Sequence, residues 1–246
     1  PHMADTLIKA GFTGMEAEIC MLEDYYTDWQ KLKDLLDEKQ IAFAALAVHE
    51  DWLLPEETDG ERERLDEAIE FLTHFPTAKL MLGHVAADPV REHNLYEKQV
   101  NQLKCISAIA QRAAEAGIVT VFHPNSGENS IFRYESDYHI MFDTLYSKRI
   151  GYAPDAGHML NGGIDPLKVI REHRDIVQHV HFKDMTPDHV WATMGEGIGD
   201  FKSIVDFLAD TGYQGWIMTE DESPDAEQDS DGVVLADGAY MKSIAR

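Results

Sequence analysis

The chain has 246 residues, with 21 basic and 45 acidic side chains and a formal net charge of −24. A hydrophobic content of 44% is enough for a buried core, so the composition excludes a wholly disordered chain. The negative charge argues against nucleic acid and anionic membranes as partners, and no apolar run is long enough to span a bilayer. Two distant cysteines, Cys20 and Cys105, form neither a disulfide framework nor a metal motif, which is typical of the reducing cytoplasm.

The predicted elements alternate along the chain. A helix is predicted at 3–10, and further helices follow where apolar residues recur every three or four positions, at 28–36, 62–75, 96–116 and 233–244. Seven short apolar strands are predicted at 14–19, 41–48, 79–85, 118–123, 150–155, 176–182 and 216–220. One strand and one helix together take roughly 30 to 40 residues, the spacing of βα units around a parallel sheet.

This alternation continues without a linker, so we predict one domain over residues 1–246 with the α/β fold of a (β/α)₈ TIM barrel. The glycine fingerprint of a dinucleotide-binding fold is absent after the first predicted strand. Seven strands are predicted rather than eight, and a helix precedes the first of them. The barrel is therefore expected to lack, or not to show, its first strand.

The last four predicted strands each end in a side chain that can bind a metal ion. These residues are His123, Asp155, His181 and Glu220. Active sites of TIM barrels lie at the carboxyl ends of the strands, so the four side chains are expected to meet. Two nitrogens and two oxygens suit one divalent ion, with Mn²⁺ as first candidate and Co²⁺, Zn²⁺, Fe²⁺ and Mg²⁺ as alternatives. The competing interpretation of each residue is a hydrogen-bonded structural side chain.

Other candidates have two open interpretations. His84 ends the third predicted strand and either lines the pocket or packs beside it. His179 shares a strand face with the ligand candidate two residues later and is a possible proton donor. Trp191 either stacks on a sugar face or packs against a helix. Glu16 lies inside the first predicted strand, where a buried salt bridge and a substrate contact are equally compatible with the sequence.

Six motifs occupy the C-terminal half: His123-Pro-Asn-Ser-Gly, Asp155-Ala-Gly-His, Gly162-Gly-Ile-Asp-Pro, His179-Val-His-Phe-Lys-Asp, Gly195-Glu-Gly-Ile-Gly-Asp-Phe and Gly212-Tyr-Gln-Gly-Trp-Ile-Met-Thr-Glu. With them the region resembles the xylose-isomerase-like TIM-barrel superfamily of sugar isomerases and epimerases. Within it, the region is most similar to inosose (2-keto-myo-inositol) dehydratase-like proteins. The N-terminal half resembles the superfamily in its βα rhythm alone.

The resemblance implies that the metal site falls on the four strand-end residues. It also implies that His158 and Lys183 contact the hydroxyls or the carbonyl of a substrate, and Glu196 is expected to bind substrate with them. Epimerases of the superfamily have a glutamate at the position of His123, where it is one of two opposed bases. A histidine that binds metal cannot also serve as that base, so the sequence favours elimination, which needs a single base.

We therefore expect a metal-dependent lyase or dehydratase that acts on a keto-sugar, keto-glycoside or keto-inositol. Glu220, Lys183 or a metal-bound hydroxide is expected to take the proton α to the ketone, and His158 or His179 to protonate the leaving oxygen. A metal-dependent ketose isomerase or epimerase is the alternative. A non-catalytic sugar-binding subunit and an abasic-site nuclease are more remote. The glycine loop 195–199 could cradle a phosphate, but few lysines lie nearby, so a neutral sugar is preferred; a homo-oligomer is left open.

Overall fold

A computed structural model describes residues 1–84, 91 and 93–245. Within this part of the chain the strands are β1 (Gly14–Glu18), β2 (Ala42–Glu50), β3 (Lys79–His84), β4 (Thr120–His123), β5 (Gly151–Tyr152), β6 (His179–Phe182), β7 (Asp184–Met185), β8 (Trp191–Ala192) and β9 (Trp216–Thr219). The helices are α1 (His2–Ala10), α2 (Ile19–Leu22), α3 (Asp24–Thr27), α4 (Trp29–Lys39), α5 (Asp59–Leu72), α6 (Leu95–Glu115), α7 (Glu135–Lys148), α8 (Ala156–Asn161), α9 (Pro166–Glu172), α10 (Phe201–Asp210) and α11 (Ser230–Ile244).

Seven parallel strands form the barrel. Strands β1 to β5 pair in sequential order, and β6 pairs with β9. Two isolated parallel bridges, Tyr152 to Val177 and Asp155 to His181, connect β5 and the residues after it to the β6 side. These are the seven strands predicted from the sequence, and the TIM-barrel fold is confirmed. Val85, the last residue of the predicted strand at 79–85, lies outside the described residues.

The barrel has a seam between β9 and β1. No backbone pairing joins these two strands among the described residues, whereas every other neighbouring pair has a ladder or a bridge. All four residues of β9 are half-buried, in contrast to β4 and β6, which are fully buried. The Trp216 side chain packs across the seam on Gly14, where an added Cβ would lie 2.7 Å from the indole ring. Packing, rather than hydrogen bonds, therefore joins the two edges.

Side-chain caps explain where several helices begin. Thr58 and Glu61 form a capping box at the start of α5, in which each residue accepts a backbone N–H of the other. Asp165 caps α9 through the N–H of Lys168, and a proline follows at the first helical position. At the other end of α1, Gly11 adopts a φ of 90°, which ends the helix before β1.

The core has two layers. The larger layer lies between the barrel strands and the surrounding helices, and its fully buried side chains include Leu46, Leu80 and Phe122. A smaller cluster fills the barrel interior: Ala45, Ala47, Met81, Val121 and Ala153. Strand residues two apart share a face, so the Val121 and Ala153 side chains lie directly below those of His123 and Asp155. These mostly small residues leave room above them at the carboxyl ends of the strands.

The hairpin of β7 and β8 was not predicted from the sequence. It is antiparallel and very short, and it precedes the glycine loop that the sequence suggested as a phosphate cradle. The N–H groups of Gly195, Gly197 and Gly199 all donate to the buried carboxylate of Asp184, at 2.9–3.0 Å. The donors of this loop therefore bind an internal anion. Among the described residues, no helix combines the length and hydropathy that a membrane crossing requires.

Candidate metal centre

Four side chains from successive strand ends converge above the barrel interior. One ligand atom from each of His123, Asp155, His181 and Glu220 lies within 4.8 Å of the others. The His123 Nε2 and Asp155 Oδ2 atoms are 3.5 Å apart, and His181 Nδ1 is 3.3 Å from Glu220 Oε2. Backbone hydrogen bonds fix the arrangement. The His181 backbone N–H donates to the Pro154 carbonyl, and the Glu220 backbone N–H donates to the carbonyl of the last β6 residue, Phe182. The structure thus brings together the four predicted ligands.

The polar atoms of this cluster need a partner that the described residues do not supply. Both ring nitrogens of His123 and the Oδ2 atom of Asp155 are buried without a hydrogen bond among the described residues. Leaving a buried polar atom unpaired costs roughly 1–3 kcal/mol, and a bound ion is one of the partners that removes this cost. A divalent cation bound by two imidazoles and two carboxylates would satisfy one ring nitrogen of His123 and the Asp155 oxygen together. The residues present therefore fit a metal ion.

The two carboxylates of the cluster are held in the charged form that metal binding requires. Burial raises the pKa of Asp155, but the neighbouring His158, His123 and Lys183 lower it by more. The net pKa is therefore below its usual range. Burial likewise raises the pKa of Glu220, and His181 and Lys183 outweigh this effect. Both groups are therefore anionic across the physiological pH range.

Lys183 is a buried cation next to the cluster. Its side chain is 1% exposed, and its Nζ lies 2.8 Å from Glu220 Oε1 and 2.9 Å from Glu222 Oε1. Burial lowers the pKa of the ammonium group, but the carboxylates of Glu220, Asp155 and Glu222 raise it by more. Lys183 therefore keeps its proton. Its Nζ also lies 4.9 Å from the ring centre of Trp191, which holds the ammonium against an aromatic face.

His158 is a neutral imidazole at the same site. It lies in the first turn of α8, three residues after Asp155, and its backbone N–H donates to the Asp155 carboxylate at 2.8 Å. Its Nδ1 is 2.9 Å from Ser126 Oγ, while its Nε2 has no hydrogen bond among the described residues. Burial lowers the pKa of His158 to about 4, even though Asp155 acts in the opposite direction. His158 is therefore neutral at neutral pH, with one ring N–H and one lone pair.

A cavity of about 820 Å³ opens above the cluster. His158 and Trp191 line it, together with residues whose role the sequence did not indicate, including Asn161 and His189. His189 Nδ1 lies 2.9 Å from Asn161 Oδ1. The segment 125–128 and Arg133, which follow β4, form another wall. Loop residues of this kind have no periodic pattern, so only their position after a strand end could have indicated them.

Four expected substrate-binding residues are not among those that line the cavity: Lys183, described above, and His84, His179 and Glu196. His84 is 3% exposed at the end of β3, and burial lowers its pKa to about 4. His179 is fully buried, with its Nε2 2.7 Å from Glu16 Oε2. Glu196 is exposed in the glycine loop, outside the residues that line the cavity. Their binding to a substrate stays a prediction. Glu16, for which the sequence left two interpretations, lies in the cavity and contacts two histidines.

Known proteins with similar sequences include inosose dehydratase from Lacticaseibacillus casei. It is 29% identical over 140 residues, which are 50% of this chain and 46% of that protein. The chain therefore matches about half the length of this curated relative.

Two solved structures have the same fold. The probable 3-DHS dehydratase AsbF from Bacillus anthracis has a TM-score of 0.75 at 16% identity, with 98% of this chain and 92% of that chain covered. The IolI protein with a bound zinc atom has a TM-score of 0.78 at 11% identity, with 99% and 92% covered. At these identities the likeness concerns the fold alone. The family model described as xylose isomerase-like TIM barrel matches residues 4–243, and the chain belongs to that family.

Proposed function

We propose that this protein is a divalent-metal-dependent lyase that removes water or another β-leaving group from a small keto-sugar or keto-cyclitol. The observation that carries the proposal is the convergence of two imidazoles and two carboxylates. Buried atoms of two of these groups, His123 and Asp155, have no hydrogen-bond partner among the described residues. The partial similarity to inosose dehydratase supports the reaction class, and the cavity has room for a molecule of sugar size. The substrate, the metal and the extent of the whole protein's activity all belong to the proposal.

His123, Asp155, His181 and Glu220 would hold the metal. When bound, a divalent ion polarises a ketone and stabilises the negative charge that forms when the neighbouring proton leaves. The metal in the zinc-bound IolI structure supports a divalent ion in this fold, and the identity of the ion in this chain is left open.

The other groups divide acid and base roles between them. His158 is neutral, and in the tautomer in which its Nδ1–H donates to Ser126 Oγ, its Nε2 lone pair would take the proton α to the ketone. Lys183 keeps its proton and is suited to stabilise the developing negative charge or to protonate the leaving oxygen. This assignment reverses the one expected from the sequence, in which Lys183 was a possible base and His158 the acid. Glu220 is less suited to act as the base, because its Oε2 lies in the four-residue cluster and its Oε1 accepts from Lys183 Nζ.

Elimination fits this set of groups better than epimerisation. An epimerase of the two-base type needs a base on each face of the planar intermediate, and it has a glutamate at the position of His123. Both ring nitrogens of His123 lie in the buried cluster, and we assign one of them to the metal. A single neutral base and a single ammonium acid are sufficient for loss of a β-hydroxyl group.

The test incubates protein loaded with Mn²⁺ or Co²⁺ with 2-keto-myo-inositol, a 3-keto-glucoside and 3-dehydroshikimate in D₂O. Loss of water, or of the aglycone from the 3-keto-glucoside, accompanied by ultraviolet absorbance of an enone or aromatic product, supports the proposal. Deuterium in a product of unchanged covalent composition, without loss of water, would assign an isomerase or epimerase instead. His158→Gln and Lys183→Met should each reduce elimination while the metal content stays unchanged. Failure of the wild-type protein to bind a divalent ion would refute the proposal.

A further inference from the structure

Glu16 connects two histidines across the barrel interior. It lies on β1, and its carboxylate contacts Nε2 of both His179 and His181 on β6, at 2.7 and 3.2 Å. The three residues are distant in sequence but close at the bottom of the cavity, and the Glu16 side chain is 11% exposed. Neither the reaction proposed above nor the four-residue cluster uses this carboxylate.

The two nitrogens of His181 face different carboxylates. Its Nδ1 lies 3.3 Å from Glu220 Oε2, on the side of the four-residue cluster, and its Nε2 faces Glu16. A neutral imidazole has one N–H group and one lone pair, so the position of the proton decides which nitrogen can bind a metal. Both carboxylates lie at nearly the same distance, but Glu220 is one of the four proposed metal ligands. With an ion bound, Glu16 alone is left to accept a proton from the ring, at Nε2, and the Nδ1 lone pair is then directed toward the cluster.

We propose that Glu16 is a positioning residue for the metal, which accepts the Nε2–H of His181 and so presents Nδ1 of that ring as the ligand. The inference rests on the metal site proposed above. His179 acts through Glu16: its Nε2–H donates to the same carboxylate, while its Nδ1 has no partner among the described residues. With two imidazole donors, the carboxylate stays charged and its orientation is fixed. Carboxylate–histidine–metal arrangements of this type both orient the ring and increase its basicity.

The same three residues could in principle bind an ion themselves, because their donor atoms also lie within 4.8 Å of one another. The distances favour a hydrogen-bonded chain instead. Two ligands at about 2.1 Å from one ion are separated by about 3.0–3.4 Å, whereas Glu16 and His179 are 2.7 Å apart. An ion at this lower position would also leave the buried atoms of His123 and Asp155 without a partner.

The first experiment measures metal affinity, by calorimetry for Mn²⁺ and by the visible absorption of bound Co²⁺. Glu16→Gln keeps the side-chain shape but offers a single acceptor oxygen and no charge, so we expect the dissociation constant to increase about 10- to 100-fold. Glu18→Gln is the matched control, since it lies on the same strand at the cavity and contacts His49 rather than a ligand. We expect it to change the constant by no more than about threefold, because partly exposed charges interact weakly.

A second measurement reports on the His181 ring directly. In protein labelled with ¹⁵N and loaded with Zn²⁺, long-range ¹H–¹⁵N spectra should show a protonated Nε2 and a coordinated Nδ1 for His181. Coordination through Nε2 would overturn the inference. Thermal unfolding and circular dichroism establish that each variant is folded, and Glu16→Asp, which keeps the charge but shortens the reach, replaces Glu16→Gln if the latter does not fold. We expect Glu16→Asp to bind more weakly than wild type.

The outcomes separate this inference from the proposed function. If wild type binds no divalent ion, both fail. If wild type binds and Glu16→Gln binds within about threefold of it, the metal site remains and the role of Glu16 is refuted. His179→Asn should weaken binding by less than Glu16→Gln. If His179→Asn instead abolishes binding while His123→Ala retains it, the ion lies in the lower cluster and the inference is overturned.

Discussion

The carboxylate of Asp184 organises the glycine loop beside the site, and its replacement should be costly. The side chain is 1% exposed and accepts four backbone N–H groups. Its Oδ1 accepts from Met185 and Gly199 at 2.9 and 3.0 Å, and its Oδ2 accepts from Gly195 and Gly197 at 3.0 and 2.9 Å. The Asp184→Asn variant has nearly the same shape but keeps only one acceptor oxygen. Its amide nitrogen would face two N–H donors.

The magnitude follows from the two lost bonds. Each buried N–H that loses its acceptor costs about 1–3 kcal/mol, so Asp184→Asn should lower the free energy of unfolding by about 2–6 kcal/mol. For a chain of this size, one kcal/mol corresponds to about 2–4 °C, so the Tm should fall by about 5–20 °C. This loss is a large part of the 5–15 kcal/mol by which typical domains are stable.

Urea unfolding and calorimetry at a fixed metal concentration measure this change. Asp188→Asn is the control, because Asp188 is an exposed acid in the hairpin that follows. Asp184→Ala removes the anion altogether, and formate added at molar concentration should recover part of its Tm relative to chloride, since the N–H groups remain as an anion site. If Asp184→Asn and Asp188→Asn are equally stable, or if formate has no more effect than chloride, the carboxylate does not organise the loop.

Three further predictions concern the site and the pH dependence of stability. His123→Glu should retain the metal and increase exchange of the substrate α-proton with D₂O, which mass spectrometry measures. Unchanged elimination without exchange would contradict the role assigned to His123. Lys183→Met should lower kcat by about 10²–10³-fold with the metal content retained in elemental analysis, because the ammonium beside the developing charge is lost; wild-type turnover would exclude that role. Burial raises the pKa of Asp237 from 3.8 to about 7. Between pH 3.8 and pH 7 the folded protein therefore keeps a proton on this carboxyl that the unfolded chain has released. Stability should therefore fall as pH rises through this window, by up to about 4 kcal/mol, and Asp237→Asn should flatten the curve of urea unfolding against pH; parallel curves would refute the shift.

Much of the fold and four site residues could be predicted from the sequence because both follow the strand pattern. Each barrel strand is short, apolar and followed by a helix, and the carboxyl end of a parallel strand has a fixed place in a TIM barrel. Placing His123, Asp155, His181 and Glu220 together needed only the strand ends. That these residues bind a metal remains a prediction.

The contacts of Glu16 could not be predicted, because its partner His179 is 163 residues away in sequence and pairs with it through the barrel interior. The pattern of a strand indicates which face a residue occupies, but not which opposite side chain it reaches. The partner of the glycine loop could not be predicted for a related reason. The sequence allowed a phosphate cradle there but favoured a neutral sugar, while the anion that the loop binds is the side chain of Asp184, which lies 11 to 15 residues before the donors.

The seam between β1 and β9 links closure of the barrel to occupation of the site. Glu16 lies on one edge of the seam, and Glu220 immediately follows the other, while His181 between them contacts both carboxylates. Ligand binding at these residues would therefore oppose local opening of two strands that no backbone ladder joins among the described residues. Amide hydrogen exchange in β9 should be faster than in the fully paired β3, and metal should slow it more in β9 than in β3. Filling the site would then complete the barrel in energetic terms, with side-chain coordination substituting for a missing row of backbone hydrogen bonds.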